Sequence, residues 1–328
     1  MKQNKIPLSE YPRPQFRRDP YICLNGYWEY AIRKSEEIPD NFDGQILVPF
    51  SPETMKSEVG KTVMPDDYLF YRLNLDLPKE FIKDKVILHF GAVDQIAEVF
   101  VNNQYVMKHI GGFLPFEMDI KPFLKDGKGT LILRVVDTTN SSYHSSGKQS
   151  LNPGGIWYKP QSGIYMPVWL ESVKEGYIES IKITPDIDQK VCKICFKSSN
   201  KSAKLVLKNQ IYEIKANKDN IIPVDDMKLW SPENPFLYEF KIINDVDEIS
   251  SYFAMRKISL IKNQDGMKII ALNNQPYFMK GVLDQGYYQD GFLTPNSDED
   301  YINDINLIKS LGFNVSRKHI KIESMRLY

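Results

Sequence analysis

Residues 88–124 read LHFGAVDQIAEVFVNNQYVMKHIGGFLPFEMDIKPFL, and their pattern predicts the fold of the first half of the chain. Apolar and polar residues alternate within it in short runs, which glycine, proline or asparagine separates, as is typical of antiparallel strands joined by turns. Asn102 and Asn103 stand between two such runs, and because asparagine tolerates a positive φ, we predict a tight hairpin there. Similar runs flank the stretch, so we predict a jelly-roll β-sandwich over residues 1–173.

The next block, residues 174–258, has a regular series of strand-like segments. These segments are YIESIKITPDI, VCKICFK, AKLVLKN, IYEIKAN and FLYEFKII. They recur about every ten residues, which is the spacing of strands in a small immunoglobulin-like sandwich. We therefore predict a second β-sandwich over 174–258 and a mainly β chain.

The pattern changes over residues 259–328. PYFMKGVLD (276–284) predicts a buried strand, SDEDYINDINLIKSLGF (297–313) a helix that begins after Ser297 and ends near a glycine, and FNVSRKHI (313–320) a second strand. Four apolar residues are expected to share the helix face that packs on the sheet: Tyr301, Ile305, Ile308 and Leu311. Strand, helix and strand form a βαβ unit with parallel strands. A (β/α)₈ barrel needs about 250 residues, so we expect a truncated start of such a barrel here.

Composition narrows the classes of function. Lysine and arginine together number 42, as do aspartate and glutamate, so the formal net charge is zero and the basic excess of a nucleic-acid binder is missing. The N-terminal stretch MKQNKIPLSEYPRPQFRRDP lacks the apolar region of a secretory signal, and no apolar run is long enough to cross a bilayer. We therefore expect a cytoplasmic protein that binds neither nucleic acid nor membrane.

The three cysteines are Cys23, Cys192 and Cys195, and the last two form a CxxC pattern. That pattern lies in the strand-like segment VCKICFK, where residues three apart point to opposite faces. A second CxxC or a pair of histidines does not follow, as a zinc site would require. The sequence therefore predicts no metal site, and nothing in it implies a cofactor.

Six stretches of the chain carry a resemblance to one family. They are RRDPYICLNGYWEY (17–30), the stretch 88–124, SGIYMPVWLE (162–171), YFAMRKI (252–258), LNNQPYFMKGVLDQGYYQDG (272–291) and LGFNVSRKHIK (311–321). The first three resemble the sugar-binding domain of glycoside hydrolase family 2, the β-galactosidase and β-glucuronidase-like superfamily. The fourth resembles the exit of that family's immunoglobulin-like domain, and the last two resemble its first two barrel strands. The resemblance covers essentially the whole chain.

The resemblance is not to the typical galactosidase branch. Glucuronidases and galactosidases of the family tend to carry a histidine-rich cluster after the first barrel strand, where this chain has Leu283-Asp284-Gln285-Gly286-Tyr287. Galactosidases also carry an acidic residue shortly before the tryptophan that corresponds to Trp157, where this chain has Gly154-Gly155-Ile156. These departures leave the identity of the sugar open.

The resemblance implies a retaining hydrolase of β-linked O-glycosides. Retaining glycosidases use two carboxyl groups about 5–5.5 Å apart, and in this family both are glutamates that follow the fourth and seventh barrel strands. Neither strand is present in the sequence, so we assign no catalytic residue and expect this chain to be inactive by itself. The alternatives are a non-catalytic carbohydrate-binding protein, or an assembly module that pairs with a separate barrel portion or with copies of itself.

Several residues are candidates for contact with a carbohydrate substrate. Active sites of barrel enzymes lie at the carboxyl ends of the strands, which predicts that Asp284 and Gln285 after the first strand, and Arg317 and His319 at the end of the second, face the cleft. The alternative is that Asp284 and Arg317 pair with each other for structure. Trp157 could stack on a sugar ring, or it could pack in the interior of the jelly roll or against the missing barrel portion.

Two neighbouring features complete the candidate site. Tyr165 lies in a predicted strand, so we expect it to pack in the interior. The loop TTNSSYHSSGKQSLNPGG (138–155) is long and polar, and long ordered loops are often functional. In the family, such a loop reaches toward the barrel mouth.

Overall fold

The computed structural model describes residues 6–328, so residues 1–5, which open the segment assessed for a signal, lie outside the described residues. The described chain is mainly β and forms several sheets, with no closed barrel among them. Short 3₁₀ helices lie at Pro14–Phe16, Met55–Ser57, Lys79–Phe81 and Lys121–Phe123.

The first β block, residues 21–173, consists of two large antiparallel sheets. Its strands are β1 (Tyr21–Cys23), β2 (Gly26–Arg33), β3 (Gly44–Val48), β4 (Tyr68–Asp76), β5 (Lys85–Phe90), β6 (Val93–Asp94), β7 (Ile96–Val101), β8 (Gln104–Ile110), β9 (Phe116–Asp119), β10 (Lys128–Val136), β11 (Gly163–Ile164) and β12 (Val168–Val173). One sheet has the order β3-β2-β4-β10-β7-β8 and the other β1-β12-β5-β9, and β6 pairs separately with β11. Apolar residues of both sheets, such as Trp28, Tyr71, Leu88 and Phe90, form one buried core.

The predicted hairpin is confirmed. Asn102 and Asn103 connect β7 to β8 and have φ values of 52° and 61°. Both central residues of this turn therefore need the left-handed conformation, which asparagine adopts at low cost.

The second β block, residues 180–253, has a separate core. Its strands are β13 (Ser180–Asp186), β14 (Val191–Lys197), β15 (Ser202–Leu207), β16 (Gln210–Lys215), β17 (Asn220–Pro223), β18 (Tyr238–Ile243) and β19 (Glu248–Phe253). They form the sheets β13-β14-β17 and β16-β15-β18-β19, and each predicted strand-like segment contains one of these strands. Cys192 is buried and Cys195 is half-buried in β14, and residues 6–328 contain no group of side chains that could hold a metal ion.

The C-terminal segment, residues 258–328, contains the predicted βαβ unit. Its elements are β20 (Ile258–Lys262), β21 (Lys268–Leu272), β22 (Gln275–Pro276), β23 (Gly281–Asp284), the helix α1 (Asp298–Ser310) and β24 (Val315–Lys318). The strands β23 and β24 pair in parallel, as predicted. The Ser297 side chain accepts a hydrogen bond from the Glu299 amide and so caps α1, which confirms the predicted start. Within the described residues, no helix has the length and apolar character that crossing a membrane requires.

Two expectations for this segment are wrong. Over 276–284, where a buried strand was predicted, the strand β23 covers only 281–284 and its residues are exposed or half-buried, and Phe278 before it is 82% exposed. On the predicted packing face of α1, Tyr301 is buried but Ile305 and Leu311 are exposed. Both differences have one cause, because a sheet of two strands is too narrow to cover the apolar residues around it.

An ion cluster, which we call the Arg18 clasp, joins the two β blocks. The Arg18 guanidinium pairs with Glu171 of β12, donates two hydrogen bonds of 2.9 Å to Asp247, and donates another of 2.7 Å to the Ile178 carbonyl. All three charged side chains are buried. The clasp therefore ties the N-terminal segment to both blocks at once.

Candidate functional site

An open groove lies beside the carboxyl end of β23. It has a volume of about 370 Å³. Its walls are formed by residues of β23 and the turn after it, by α1 and by one loop residue: Tyr158, Val282, Leu283, Asp284, Gln285, Gly286, Tyr287, Asp304, Leu307 and Ile308. The structure thus places Asp284 and Gln285 at the same groove.

Asp284 forms an ion pair with Lys318, not with Arg317. The Lys318 Nζ lies 2.6 Å from the Asp284 Oδ2, and the two residues are register partners on β24 and β23. Burial by itself raises the pKa of the Asp284 carboxyl, but the Lys318 ammonium outweighs burial and holds that pKa below its usual value. On α1, burial and then the charge of Asp284 raise the pKa of Asp304. The groove therefore combines a carboxyl group whose pKa is lowered with one whose pKa is raised.

The other predicted residues of the barrel segment have different environments. Arg317 is exposed and lies opposite Leu283, which is also exposed. Because side chains alternate along a strand, these two occupy the face opposite to Asp284 and Lys318. His319 is half-buried, and its amide donates a 2.9 Å hydrogen bond to the Asp284 carbonyl. The Gln285 Oε1 is buried without a hydrogen-bond partner among residues 6–328.

A cluster of buried charged residues, which the sequence did not reveal, contacts the turn that lines the groove. Glu323 is 3% exposed and lies 2.9 Å from the Lys318 Nζ and 3.1 Å from the Lys321 Nζ. Lys321 also donates hydrogen bonds of 2.6 and 2.9 Å to the carbonyls of Gly286 and Leu293. This lysine thereby fixes the turn after β23 to the chain after β24. In the sequence, Lys318, Lys321 and Glu323 give no sign of this burial.

Aromatic residues connect the loop 138–162 to the groove. The Tyr158 ring stacks on the Tyr287 ring at 4.2 Å between centroids, and Tyr287 stacks in turn on Phe292 at 5.3 Å. Trp157 is 49% exposed beside this column, so the interior packing considered for it does not occur. Tyr165 is 1% exposed and packs where the first β block meets the C-terminal segment, as predicted.

Three carboxyl groups lie near the base of the same loop, and the sequence did not indicate them. Burial raises the pKa of Glu53 to about 8. The hydrogen bonds that its oxygens accept from the amides of Ser162 and Val63 lower this pKa, but by less than burial raises it. Burial and then the charge of Asp137 raise the pKa of Asp94 well above its usual value. Burial also raises the pKa of Asp137, whose Oδ2 accepts a 2.7 Å hydrogen bond from Ser162. Burial thus favours the neutral form of all three groups.

Substitution of Asp284 by asparagine is expected to loosen the parallel pair of strands. The change removes the ion pair with Lys318, which should lower local stability by about 1–2 kcal/mol. The pKa of Asp284 is lower in the folded chain than its unfolded value near 3.9, so the pair stabilises above that pH and its contribution is lost as the pH falls further. Amide hydrogen exchange of β23 and β24 at pH 7 measures the effect. The matched control is Asp290→Asn in the exposed part of the same turn, and equal exchange in both variants would contradict the prediction.

Two family models match the chain. The model described as "Glycosyl hydrolases family 2, sugar binding domain" matches residues 25–172, and the model described as "Glycosyl hydrolases family 2" matches residues 176–256. Together they cover well over half of the sequence.

Individual relatives extend the likeness into the C-terminal segment. A β-galactosidase from Thermoanaerobacter pseudethanolicus is 26% identical over 66% of this chain and 32% of its own length. A β-glucuronidase from Streptococcus agalactiae is 24% identical over 97% of this chain and 56% of its own length. The chain therefore spans between about a third and just over half of these relatives.

Solved structures share the fold. A β-D-glucuronidase from Dictyoglomus thermophilum superimposes with a TM-score of 0.76 at 24% identity, over 97% of this chain and 56% of that one. A β-glucuronidase from Faecalibacterium prausnitzii gives a TM-score of 0.78 at 21% identity, over 97% and 58%. With two family models in the expected order and relatives that are glycosidases, the resemblance seen in the sequence is confirmed: the chain belongs to glycoside hydrolase family 2.

Proposed function

We propose that this chain forms the N-terminal portion of a retaining O-glycoside hydrolase that acts on β-linked glycosides, with both catalytic carboxyl groups outside its 328 residues. The match of the two family models over residues 25–172 and 176–256 is the observation that carries the proposal. The relatives are β-glucuronidases and β-galactosidases, so both classes of glycoside are candidates for the substrate.

The proposal includes a specific architecture. Residues 1–173 form the jelly-roll sugar-binding-type domain, 174–258 the immunoglobulin-like sandwich, and 259–328 the start of a (β/α)₈ barrel. Its support is the pair of facing sheets in each β block and the parallel pair of β23 and β24 that α1 connects.

In this scheme the groove is the part of the substrate site that the chain contributes. Asp284 and Gln285 line it directly. Arg317 and His319 do not line it. They lie at the same ends of the parallel strands, Arg317 on the face opposite to Asp284, and barrel enzymes bind substrate at such strand ends. An ionised Asp284 can accept hydrogen bonds from sugar hydroxyls, and an exposed Arg317 can donate several to a carboxylate or a hydroxyl. Trp157 presents an open aromatic face next to Tyr158, which lines the groove.

A second candidate is a carbohydrate-binding or assembly module without catalysis. The half-exposed Trp157 favours sugar binding. The exposed apolar residues Phe278, Leu283 and Leu311 around the parallel strands favour assembly with a further barrel portion or with a second copy.

Turnover and binding by the 328-residue chain separate these functions. We expect no hydrolysis of p-nitrophenyl β-D-glucuronide or p-nitrophenyl β-D-galactoside, and hydrolysis of either would refute the absence of the catalytic pair. Methyl β-D-glucuronide and methyl β-D-galactoside serve as binding probes in NMR titrations. We expect Arg317→Ala to weaken binding of the preferred probe about five- to tenfold, since a charge-assisted hydrogen bond is lost. The control is Arg17→Ala, an exposed arginine of the N-terminal segment that pairs with Asp19, and equal affinities of the two variants would exclude a role for Arg317.

A further inference from the structure

We infer that Gln149 and Gln161 are positioning residues for the groove: through a buried chain of hydrogen bonds from Asp94 to Leu293, they hold the aromatic wall formed by Tyr158 and Tyr287, with Trp157 next to Tyr158 in the chain. The assignment of this wall to substrate binding rests on the proposed function. The positioning itself rests on contacts within the chain.

The relay runs through two buried amide side chains. The Gln149 Nε2 donates a 2.8 Å hydrogen bond to the Asp94 Oδ2 in the first β block. The Gln149 Oε1 accepts a 2.6 Å hydrogen bond from the backbone N–H of Gln161, and the Gln161 Oε1 accepts one of 2.9 Å from the backbone N–H of Leu293. Gln149 and Gln161 are 5% and 1% exposed. The relay therefore links the first β block, both ends of the loop segment 149–161 and the C-terminal segment.

The two glutamines close the loop segment at its base. Next to Gln149, the Tyr158 amide donates a 2.8 Å hydrogen bond to the Lys148 carbonyl, and the Ser150 amide donates one of 3.0 Å to the Tyr158 carbonyl. At the tip, the Trp157 amide donates a 3.0 Å bond to the Gly154 carbonyl. Ordering a surface segment costs conformational entropy at every residue. Because the two glutamines fix the ends of this segment, the contacts at its tip have fewer residues left to order.

The far end of the relay fixes what the loop packs against. Leu293, which donates to Gln161, packs with Tyr165 and with Tyr287 at the junction of the first β block and the C-terminal segment. Tyr287 carries the ring on which Tyr158 stacks. The relay thus sets both partners of the aromatic stack, one through the loop and one through Leu293.

At Gln149 the relay uses both ends of the side-chain amide, whereas at Gln161 it uses the side-chain oxygen and the backbone N–H. Gln149 donates to a carboxyl group and accepts from a backbone amide, which an apolar side chain of equal length cannot do. Gln149→Met and Gln161→Met therefore keep the volume of the side chain and remove its hydrogen bonds. The matched control is Gln189→Met, which lies in an exposed turn of the second β block.

Hydrogen exchange on the 328-residue chain tests the positioning without any ligand. We expect each relay variant to raise the exchange rates of the Trp157 and Tyr158 amides about tenfold, the effect of losing one buried hydrogen bond. Because the two glutamines act in series, the double variant should differ little from either single one. Exchange in β14 and β18 should stay unchanged, as in Gln189→Met. Unchanged exchange at Trp157 and Tyr158, or additive effects in the double variant, would overturn the inference.

The binding probes then connect the positioning to function. In the NMR titration with methyl β-D-glucuronide or methyl β-D-galactoside, we expect the relay variants to bind the preferred probe several-fold more weakly than Gln189→Met. Wild-type affinity in variants with raised exchange would overturn the role of the relay in binding. If the wild-type chain binds neither probe while exchange responds as expected, the proposed function fails and the positioning role stands.

Discussion

Replacing Arg18 with methionine is expected to lower the free energy of unfolding by about 3–5 kcal/mol, because two buried carboxylates lose their shared cation. Glu171 lies in the first β block and Asp247 in the second, and both pair with Arg18 while buried. Tyr11 and Arg13 also contact Glu171 but not Asp247, so they cannot replace the lost bridge. Urea unfolding followed by far-ultraviolet circular dichroism measures the change, and we expect the two blocks to unfold in separate transitions.

The neighbouring arginine provides the matched control. Arg17 pairs with Asp19, and both side chains are more than half exposed. Because such surface pairs contribute about 0–1 kcal/mol, Arg17→Met should shift the unfolding midpoint little. Equal effects of the two substitutions would show that burial of the clasp does not govern its contribution.

Acid should abolish the difference between wild type and the Arg18 variant. Burial by itself raises the pKa of Glu171, but interactions with His89, Arg13 and Arg18 outweigh burial and hold that pKa at about 2. The unfolded value is near 4.3. The pKa is thus lower in the folded state, so the contribution of Glu171 is fully present above the unfolded value and is lost as the pH falls from about 4.3 to about 2. A stability difference that stayed constant across this range would contradict the assignment.

Replacing Lys321 with methionine is expected to have the second large effect, confined to the C-terminal segment. Glu323 would keep Lys318 but lose its other buried cation, and the carbonyls of Gly286 and Leu293 would lose their donor. We expect a local loss of about 3 kcal/mol, near the lower limit for a broken buried pair. That loss corresponds to an increase of roughly a hundredfold in amide exchange of β23 and β24.

The exposed helix provides the comparison for this prediction. Lys309 lies in the last turn of α1 and is exposed, so Lys309→Met changes the same residue type without touching a buried partner. Exchange in the second β block should stay at its wild-type rate in both variants. If Lys321→Met leaves the exchange of β23 and β24 unchanged, Lys321 does not hold the turn after β23 in place.

The features predicted correctly from the sequence are those determined by neighbouring residues. Asn102 and Asn103 form the hairpin because each residue tolerates the required φ, and Ser297 caps α1 because its hydroxyl reaches an amide two residues away. The parallel pairing of β23 and β24 followed from the strand–helix–strand order, which a parallel pair requires.

The features missed in the sequence depend on partners far along the chain. Arg18 is 153 residues from Glu171 and 229 from Asp247, and no local pattern joins them. Asp284 was expected near the groove, but its partner Lys318 was not chosen, since Arg317 next to it was the more obvious cation. The exposure of Ile305 and Leu311 depends on the width of the sheet beside α1. The spacing of apolar residues along a helix gives no information on that width.

The long sequence separation within the Arg18 clasp also sets when it can form during translation. Arg18 leaves the ribosome early, whereas Asp247 is synthesised 229 residues later, and Arg326, whose Nη1 donates to the Tyr11 carbonyl, follows 315 residues after that tyrosine. At 5–20 residues per second, the N-terminal segment waits about 10–50 s for Asp247. Glu171 follows Arg18 by 153 residues, and from that point Arg18 and Glu171 can pair while Asp247 is still missing. A nascent chain that stalls before residue 247 therefore holds its first segment to the first β block alone, and the Arg18 clasp is complete only in chains that extend into the second β block.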